Sequence, residues 1–387
     1  MDRDQAIKIM QDLLRAMIKR KGSDLFITSG FPPAIKVDGE MTPVTENPLG
    51  EDQSSLMVRA IMNDKQAKEF DATNECNFAI SPAGIGRFRV SAFVQQGRTG
   101  AVLRTINTEI PTLDELEVPT VLRSVVMHKR GLVICVGATG SGKSTTLAAM
   151  VDHRNRNSRG HIITIEDPIE YVHPHGGCMV TQREVGTDTE SWHSALKNAL
   201  RQAPDVIQIG EIRDRDTMEY AVQFAETGHL CLSTLHANNA NQALDRIIAL
   251  FPDEHRTQLL MDLSLNLRGI ISQRLIRRAD GNGRVPAMEI MLNSPLIADL
   301  IFKGEVSEIK DIMAKSNRLG MQTFDQSLFA LFEAGEISYE DALRNADSQN
   351  ELRLKIKLES TRAQRPIDEG IDKLALQDKE TDGTRLR

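Results

Sequence analysis

The chain has 387 residues, 40% of them hydrophobic and 26% charged, with a formal net charge of −7. That length suits two domains and a tail, the composition is ordinary for a water-soluble globular protein, and the negative balance gives no global attraction to nucleic acid. No apolar run approaches the roughly 20 residues of a membrane helix, and the polar opening Asp2-Arg3-Asp4 does not read as a signal peptide. Membrane contact is therefore expected only through partners.

In chain order, Ile7, Met10, Leu13, Leu14, Met17 and Ile18 repeat at helical spacing across residues 3–20. Short strands broken by Gly30, Pro32, Pro33 and Gly39 follow over 24–44. A helix is expected over 53–70, then strands over 77–80, 86–96 and 100–106, where Phe88, Val90, Ala92 and Val94 alternate with polar residues. Together these predict a small α+β domain over 1–107. Pro111 and Pro119 mark a linker over 108–120.

From Val121 apolar strands alternate with helical stretches, including 162–165, 206–209 and 230–235. That alternation predicts a mostly parallel sheet covered on both faces, over 121–293. Residues 294–350 read as helical, and 351–387 as a charged, flexible tail. The four cysteines stand singly, with no C-x-x-C pair, so a zinc site of the usual spacing is not expected. Cys135 and Cys231 read as buried thiols of a reducing cytoplasm.

The segment Gly137-Ala138-Thr139-Gly140-Ser141-Gly142-Lys143-Ser144 fits G-x-x-x-x-G-K-[ST] at every position. It follows the apolar run Leu132–Val136 and precedes Thr145–Met150, which opens a helix. In that context the glycines let successive backbone N–H groups surround a phosphate, and the helix adds its positive end. Lys143 is expected on the β- and γ-phosphates and the Ser144 hydroxyl on Mg²⁺. The expected ligand set is ATP with Mg²⁺, with Gly137 through Thr145 lining the nucleotide.

Carboxylates at strand ends supply the remaining chemistry. Glu166, Asp167 and Glu170 follow the strand at 162–165, and Glu211 follows the strand at 206–209. They suit water positioning and the hydration shell of a divalent cation. His229 and His236 flank the strand at 230–235, where a γ-phosphate sensor is expected. Arg87, Arg89, Arg98 and Arg104 crowd the edge of the first domain, and a forked guanidinium suits a transition state charged on the γ-phosphoryl.

Four motifs in order resemble the secretion ATPase superfamily that drives type II and type IV secretion and type IV pili. They are GATGSGKST at 137–145, TIEDPIEYVH at 164–173, NALRQAPDVIQIGEIRD at 198–214 and TGHLCLSTLHANNA at 227–240. With no tetracysteine module, the resemblance lies nearer the twitching-motility, pilus-retraction branch. It implies an α/β fold: an N-terminal PAS-like α+β domain, then a RecA-like P-loop ATPase domain with a mostly parallel sheet and C-terminal helices.

It also implies a cytoplasmic homo-hexamer powering or assisting pilus retraction, working with a sister retraction ATPase and an inner-membrane platform protein. Glu170 takes the role of catalytic glutamate, Glu211 that of Walker-B acid acting on Mg²⁺ through water, and His229 and His236 sense the γ-phosphate. Arg89, Arg98 and Arg104 make interdomain contacts to ATP. The segment 296–303 lacks two arginines of the retraction-branch pattern, which keeps an ATP-binding regulatory ring subunit as a second reading. A pilus-assembly or type II secretion ATPase is a third.

Overall fold

The computed structural model describes residues 2–37, 39–106 and 109–362. Among these, the first unit comprises α1 (Arg3–Lys19), β1 (Asp24–Ile27), β2 (Ala34–Val37), β3 (Glu40–Pro43), α2 (Glu51–Ala60), α3 (Asp64–Thr73), β4 (Glu75–Ile80), β5 (Arg87–Gln95) and β6 (Arg98–Ile106). The strands form an antiparallel sheet in the order β3-β2-β1-β6-β5-β4. Alternation along β5 sends Phe88, Val90 and Ala92 inward onto Met10, Leu14 and Met17 of α1, which seals one face of the sheet. The single helix expected over 53–70 is two helices. Asn63 ends the run and caps α3, its side chain accepting from Gln66 N at 2.9 Å.

The second unit begins with α4 (Val121–Val126), β7 (Gly131–Val136), α5 (Lys143–Asn157), β8 (Gly160–Glu166), β9 (Cys178–Glu184), α6 (Trp192–Ala199) and β10 (Val206–Ile209). It continues with α7 (Arg215–Glu226), β11 (Leu230–Leu235), α8 (Ala240–Ala249), α9 (Asp253–Asn266), β12 (Leu267–Arg277) and β13 (Arg284–Leu292). The sheet order is β13-β12-β7-β11-β10-β8-β9, parallel throughout except for the antiparallel β12–β13 pair. Every residue of β7, β10 and β11 is buried, which is why those strands read as unbroken apolar runs. Ile134 and Ile207 face one core with Phe224, Leu244 and Leu263, while Val133 and Val206 face another with Leu147 and Met150 of α5.

The chain then continues as α10 (Pro295–Lys303), α11 (Ile309–Lys315), α12 (Phe324–Glu333), α13 (Tyr339–Asn345) and α14 (Gln349–Glu359). The flexible tail expected from 351 is corrected over its first turns. Residues 349–359 are helical, and Leu352 and Ile356 are buried against Phe324 and Leu328. The rest of that expectation, from 363 onward, lies outside the described residues. No helix among the described residues is long and apolar enough to cross a membrane.

Candidate nucleotide site

All parallel strands of the second sheet point their C-terminal ends the same way, so the loops leaving β7, β8, β10 and β11 meet at one rim. Ligands in open α/β sheets bind outside such strand ends. The rim holds a cleft of about 390 Å³ lined by Thr139, Gly140, Lys143, Ser144, Glu166, Asp167, Glu170, Glu211 and His236. Four phosphate-loop residues and all four carboxylates expected at the strand ends thus line one space.

The loop geometry depends on its glycines. Gly142 sits at φ +88, and a Cβ there would fall 2.6 Å from Gln273 Nε2. At Gly137 a Cβ would fall 2.4 Å from Ser141 Oγ and 2.5 Å from the Gln273 carbonyl oxygen. Lys143 Nζ donates to the carbonyls of Gly137 (2.7 Å) and Ala138 (2.9 Å), which holds the ammonium over the loop. Burial lowers the Lys143 pKa from its ordinary value, opposed by the Glu211 charge. The Ser141 hydroxyl is buried with no partner. Tight glycines, a held cation and an unpaired donor fit a polyphosphate.

The acidic wall divides by environment. Glu166 is buried, accepting from Thr164 Oγ1 (2.7 Å) and Gln182 Nε2 (3.2 Å) on the same side of the sheet. Burial pushes its pKa up to about 7, against those hydrogen bonds. Glu170 is exposed to the cleft. Glu211 accepts from Arg213 Nε at 2.8 Å, and His236 Nε2 lies 3.0 Å from its other carboxylate oxygen. Among the described residues no three His, Cys, Asp or Glu side chains converge as a metal cage.

Four expected site residues are not brought to the cleft. His229 lies at the start of β11, its carbonyl accepting from Gly131 N at 3.0 Å and its Nδ1 3.1 Å from Thr227 Oγ1. The six-residue strand Leu230–Leu235 separates it from His236, roughly 20 Å of extended chain. Of the two histidines only His236 faces the phosphate loop in this subunit. Arg104 Nε donates to buried Asp24 at 2.7 Å, and Arg98 pairs with Glu51 of α2 at 2.7 Å, so both are engaged within the first unit. Arg89 lies opposite Arg104 in the β5–β6 register and does not line the cleft either.

The structure adds residues that motif spacing did not reveal. Tyr171 OH lies 2.8 Å from Thr145 Oγ1, tying the acidic loop to the first turn of α5. Gln273 on β12 accepts from the Thr146 hydroxyl at 2.7 Å. Gln208 on β10 faces the cleft with its Oε1 buried and unpartnered. A glutamine in the otherwise apolar run Val206–Ile209 was the available signal for it. Arg87, rather than its three neighbours, reaches the second unit, 3.8 Å from Glu184. Glu184 in turn accepts from the backbone N of Ile169, inside the acidic loop, at 3.2 Å.

A family model described as type II/IV secretion system protein matches residues 1–344. The chain belongs to that family. Within it, this is a secretion ATPase of the GspE/PilT type, with an N-terminal domain and an ATPase domain. The type IV pilus ATPase PilU of Pseudomonas aeruginosa is 61% identical over 350 residues, covering 90% of this chain and 92% of the relative. The type IV pilus retraction ATPase PilT of the same organism is 44% identical over 335 residues, covering 87% and 97%. A crystal structure of the pilus retraction motor PilT with bound ADP superposes with a TM-score of 0.83 at 39% identity, covering 89% of this chain and 98% of that one. This secretion ATPase is thus more similar to PilU than to PilT in sequence, as the retraction-branch resemblance implied.

Proposed function

We propose that this chain is a hexameric Mg²⁺-dependent ATPase of the type IV pilus system that powers or assists pilus retraction. The observation that carries the reading is one cleft in which Thr139, Gly140, Lys143 and Ser144 share a lining with Glu166, Glu170, Glu211 and His236. Its likeness to PilU over nine-tenths of both chains (90% and 92%) supports the pilus machine, rather than another member's setting, as its context.

The residues divide the work as follows. Backbone N–H groups of 138–144 and Lys143 bind the β- and γ-phosphates, leaving their carbonyl contacts on the loop. Glu170, exposed beside Lys143, orients the attacking water and takes its proton. His236 senses the γ-phosphate through Glu211. Ser144 Oγ, with Glu211 through water, would hold Mg²⁺, which supplies charge neutralisation on the β- and γ-oxygens. Arg89, Arg98 and Arg104, which do not line their own cleft, are assigned to contacts with ATP in the assembled ring.

Domain limits at 107, 121 and 294 accompany the proposal, as do a cytoplasmic location at the inner-membrane face, a platform protein and a sister retraction ATPase. Steady-state ATP hydrolysis by the purified chain, with Lys143→Ala and Glu170→Ala beside it and light scattering on the same samples, tests the reading. Hexamers whose turnover falls at least about a hundredfold in both variants, about 2.7 kcal/mol, are expected. Hexamers that bind ATP without Lys143-dependent turnover would instead leave the regulatory ring.

A further inference from the structure

A second cavity, of about 550 Å³, lies at the opposite end of the parallel sheet, where β7 and β12 begin. Its wall carries His128, Lys129, Arg130 and Arg268 over an apolar floor that includes Val125, Leu292 and Leu319. No carboxylate lines it, and among the described residues none pairs with Lys129, Arg130 or Arg268. Arg154 lies just behind, its guanidinium donating to the carbonyls of Val126 (2.9 Å) and His128 (2.8 Å) rather than to an acid. In a chain of net charge −7, this is a local excess of uncompensated cations. The field is felt by His128, whose pKa is lowered by burial and then by Arg268 and Arg154.

Two further features narrow the ligand. Ser294 and Pro295, which start α10, line the cavity, so the positive end of that helix adds to the cations. Asn293 also lines it. Its Nδ2 is committed to the carbonyls of Ser264 (2.8 Å) and Leu267 (3.0 Å), which fixes the amide, and its Oδ1 is buried without a partner. The site therefore offers three cations and a helix start to one group. A carboxylate brings a single charge and two oxygens, whereas a phosphate monoester brings up to two charges and three acceptor oxygens to share among them.

We propose that this cavity binds a phosphomonoester anion, its phosphate held by Lys129, Arg130 and Arg268 at the start of α10 and its apolar body on Leu292 and Leu319. A free small phosphomonoester and a phosphatidic-acid headgroup share that chemistry. Arg268 Nε also donates to the Arg130 carbonyl at 3.0 Å, and its side chain packs where a Cβ on Gly131 would fall, 2.5 Å from Arg268 Cγ. The ligand would therefore sit against the first residue of the strand whose last residue precedes the phosphate loop.

Calorimetric titration of the full chain with phenyl phosphate, and flotation with phosphatidylcholine vesicles lacking or containing phosphatidic acid, tests this. The exposed pair Lys129→Ala/Arg130→Ala should weaken binding in one arm by at least about tenfold, as expected for losing charge-assisted contacts, while melting with the parent. Lys143→Ala should leave it unchanged. Binding to phenyl phosphate identifies a free ligand, and binding only to the acidic vesicles identifies a headgroup. No saturable binding in either arm, or binding that survives the pair and vanishes in Lys143→Ala, would overturn the proposal.

Discussion

Glu211 and His236 face each other across 3.0 Å, one from the end of β10 and the other from the end of β11. Parallel register puts Ile209 beside Ser233, so both side chains leave neighbouring strands at the same level. Glu211 keeps its second oxygen on Arg213. A hydrogen bond to a charged partner is worth about 1.5–3 kcal/mol. His236→Ala should lower kcat by about 10- to 100-fold with little change in KM. Arg213→Ala, on a residue 57% exposed, should cost less. Steady-state kinetics with both variants checks the order, and equal losses would contradict it.

Glu166 makes stability depend on pH. Its pKa is about 7 in the fold against an ordinary 4.5, so the unfolded chain releases this proton first as pH rises. Its contribution is fully present below pH 4.5, declines through the window, and is lost above about 7. Glu166→Gln should remove that slope and raise stability at pH 8 by up to about 3 kcal/mol relative to the parent. Denaturant midpoints from pH 5 to 8 measure it, and parallel profiles for the two proteins would refute it.

Gln273 clamps the phosphate loop from inside the sheet. Gln273→Ala leaves the buried Thr146 hydroxyl without its acceptor, a cost of about 1–3 kcal/mol. Gly142→Ala should be worse, because it combines a left-handed φ of +88 with a Cβ 2.6 Å from Gln273 Nε2. Pairing Gly142→Ala with Gln273→Ala removes the collision but leaves the φ strain, so the two should add to less than their sum. Urea unfolding of the four proteins reads the coupling, and strict additivity would argue against a clamp.

Arg87 and Glu184 connect the first unit to the acidic loop, since Glu184 also accepts from Ile169 N. At 3.8 Å the ion pair itself is weak. Arg87→Ala should cost under about 1 kcal/mol of stability. Glu184→Ala, which also frees a buried backbone N–H, should cost more and reduce turnover, because Glu170 follows Ile169 directly. Equal effects in thermal melts and ATPase assays would show the backbone contact to be unimportant.

Features whose causes are local were legible in the sequence. The phosphate loop needs glycines and a lysine at fixed spacing, and buried parallel strands such as Leu230–Leu235 need only an apolar run. Features closed by distant residues were not. The partner of Arg104 is Asp24, 80 residues away, so nothing near the arginine cluster signalled that it was occupied. His229 shows the converse. Its distance from His236 follows from strand rise alone, and placing both on the phosphate overlooked that a six-residue strand separates its two ends. The break in the helix expected over 53–70 was signalled by Asn63 with Gln66, a capping pair masked by the apolar periodicity on either side.

Gln273 and Arg274 are consecutive on β12 and point to opposite faces. The first holds Thr146 behind the phosphate loop. The second stacks 3.8 Å over Phe324, donates to Asn345 O at 2.6 Å and pairs with Asp347 at 2.8 Å, where α12 and α13 meet. Adjacent Cα atoms are ~3.8 Å apart and the peptide between them is planar. The phosphate loop and the C-terminal helices are thus each tied to one of two neighbouring residues of the same strand.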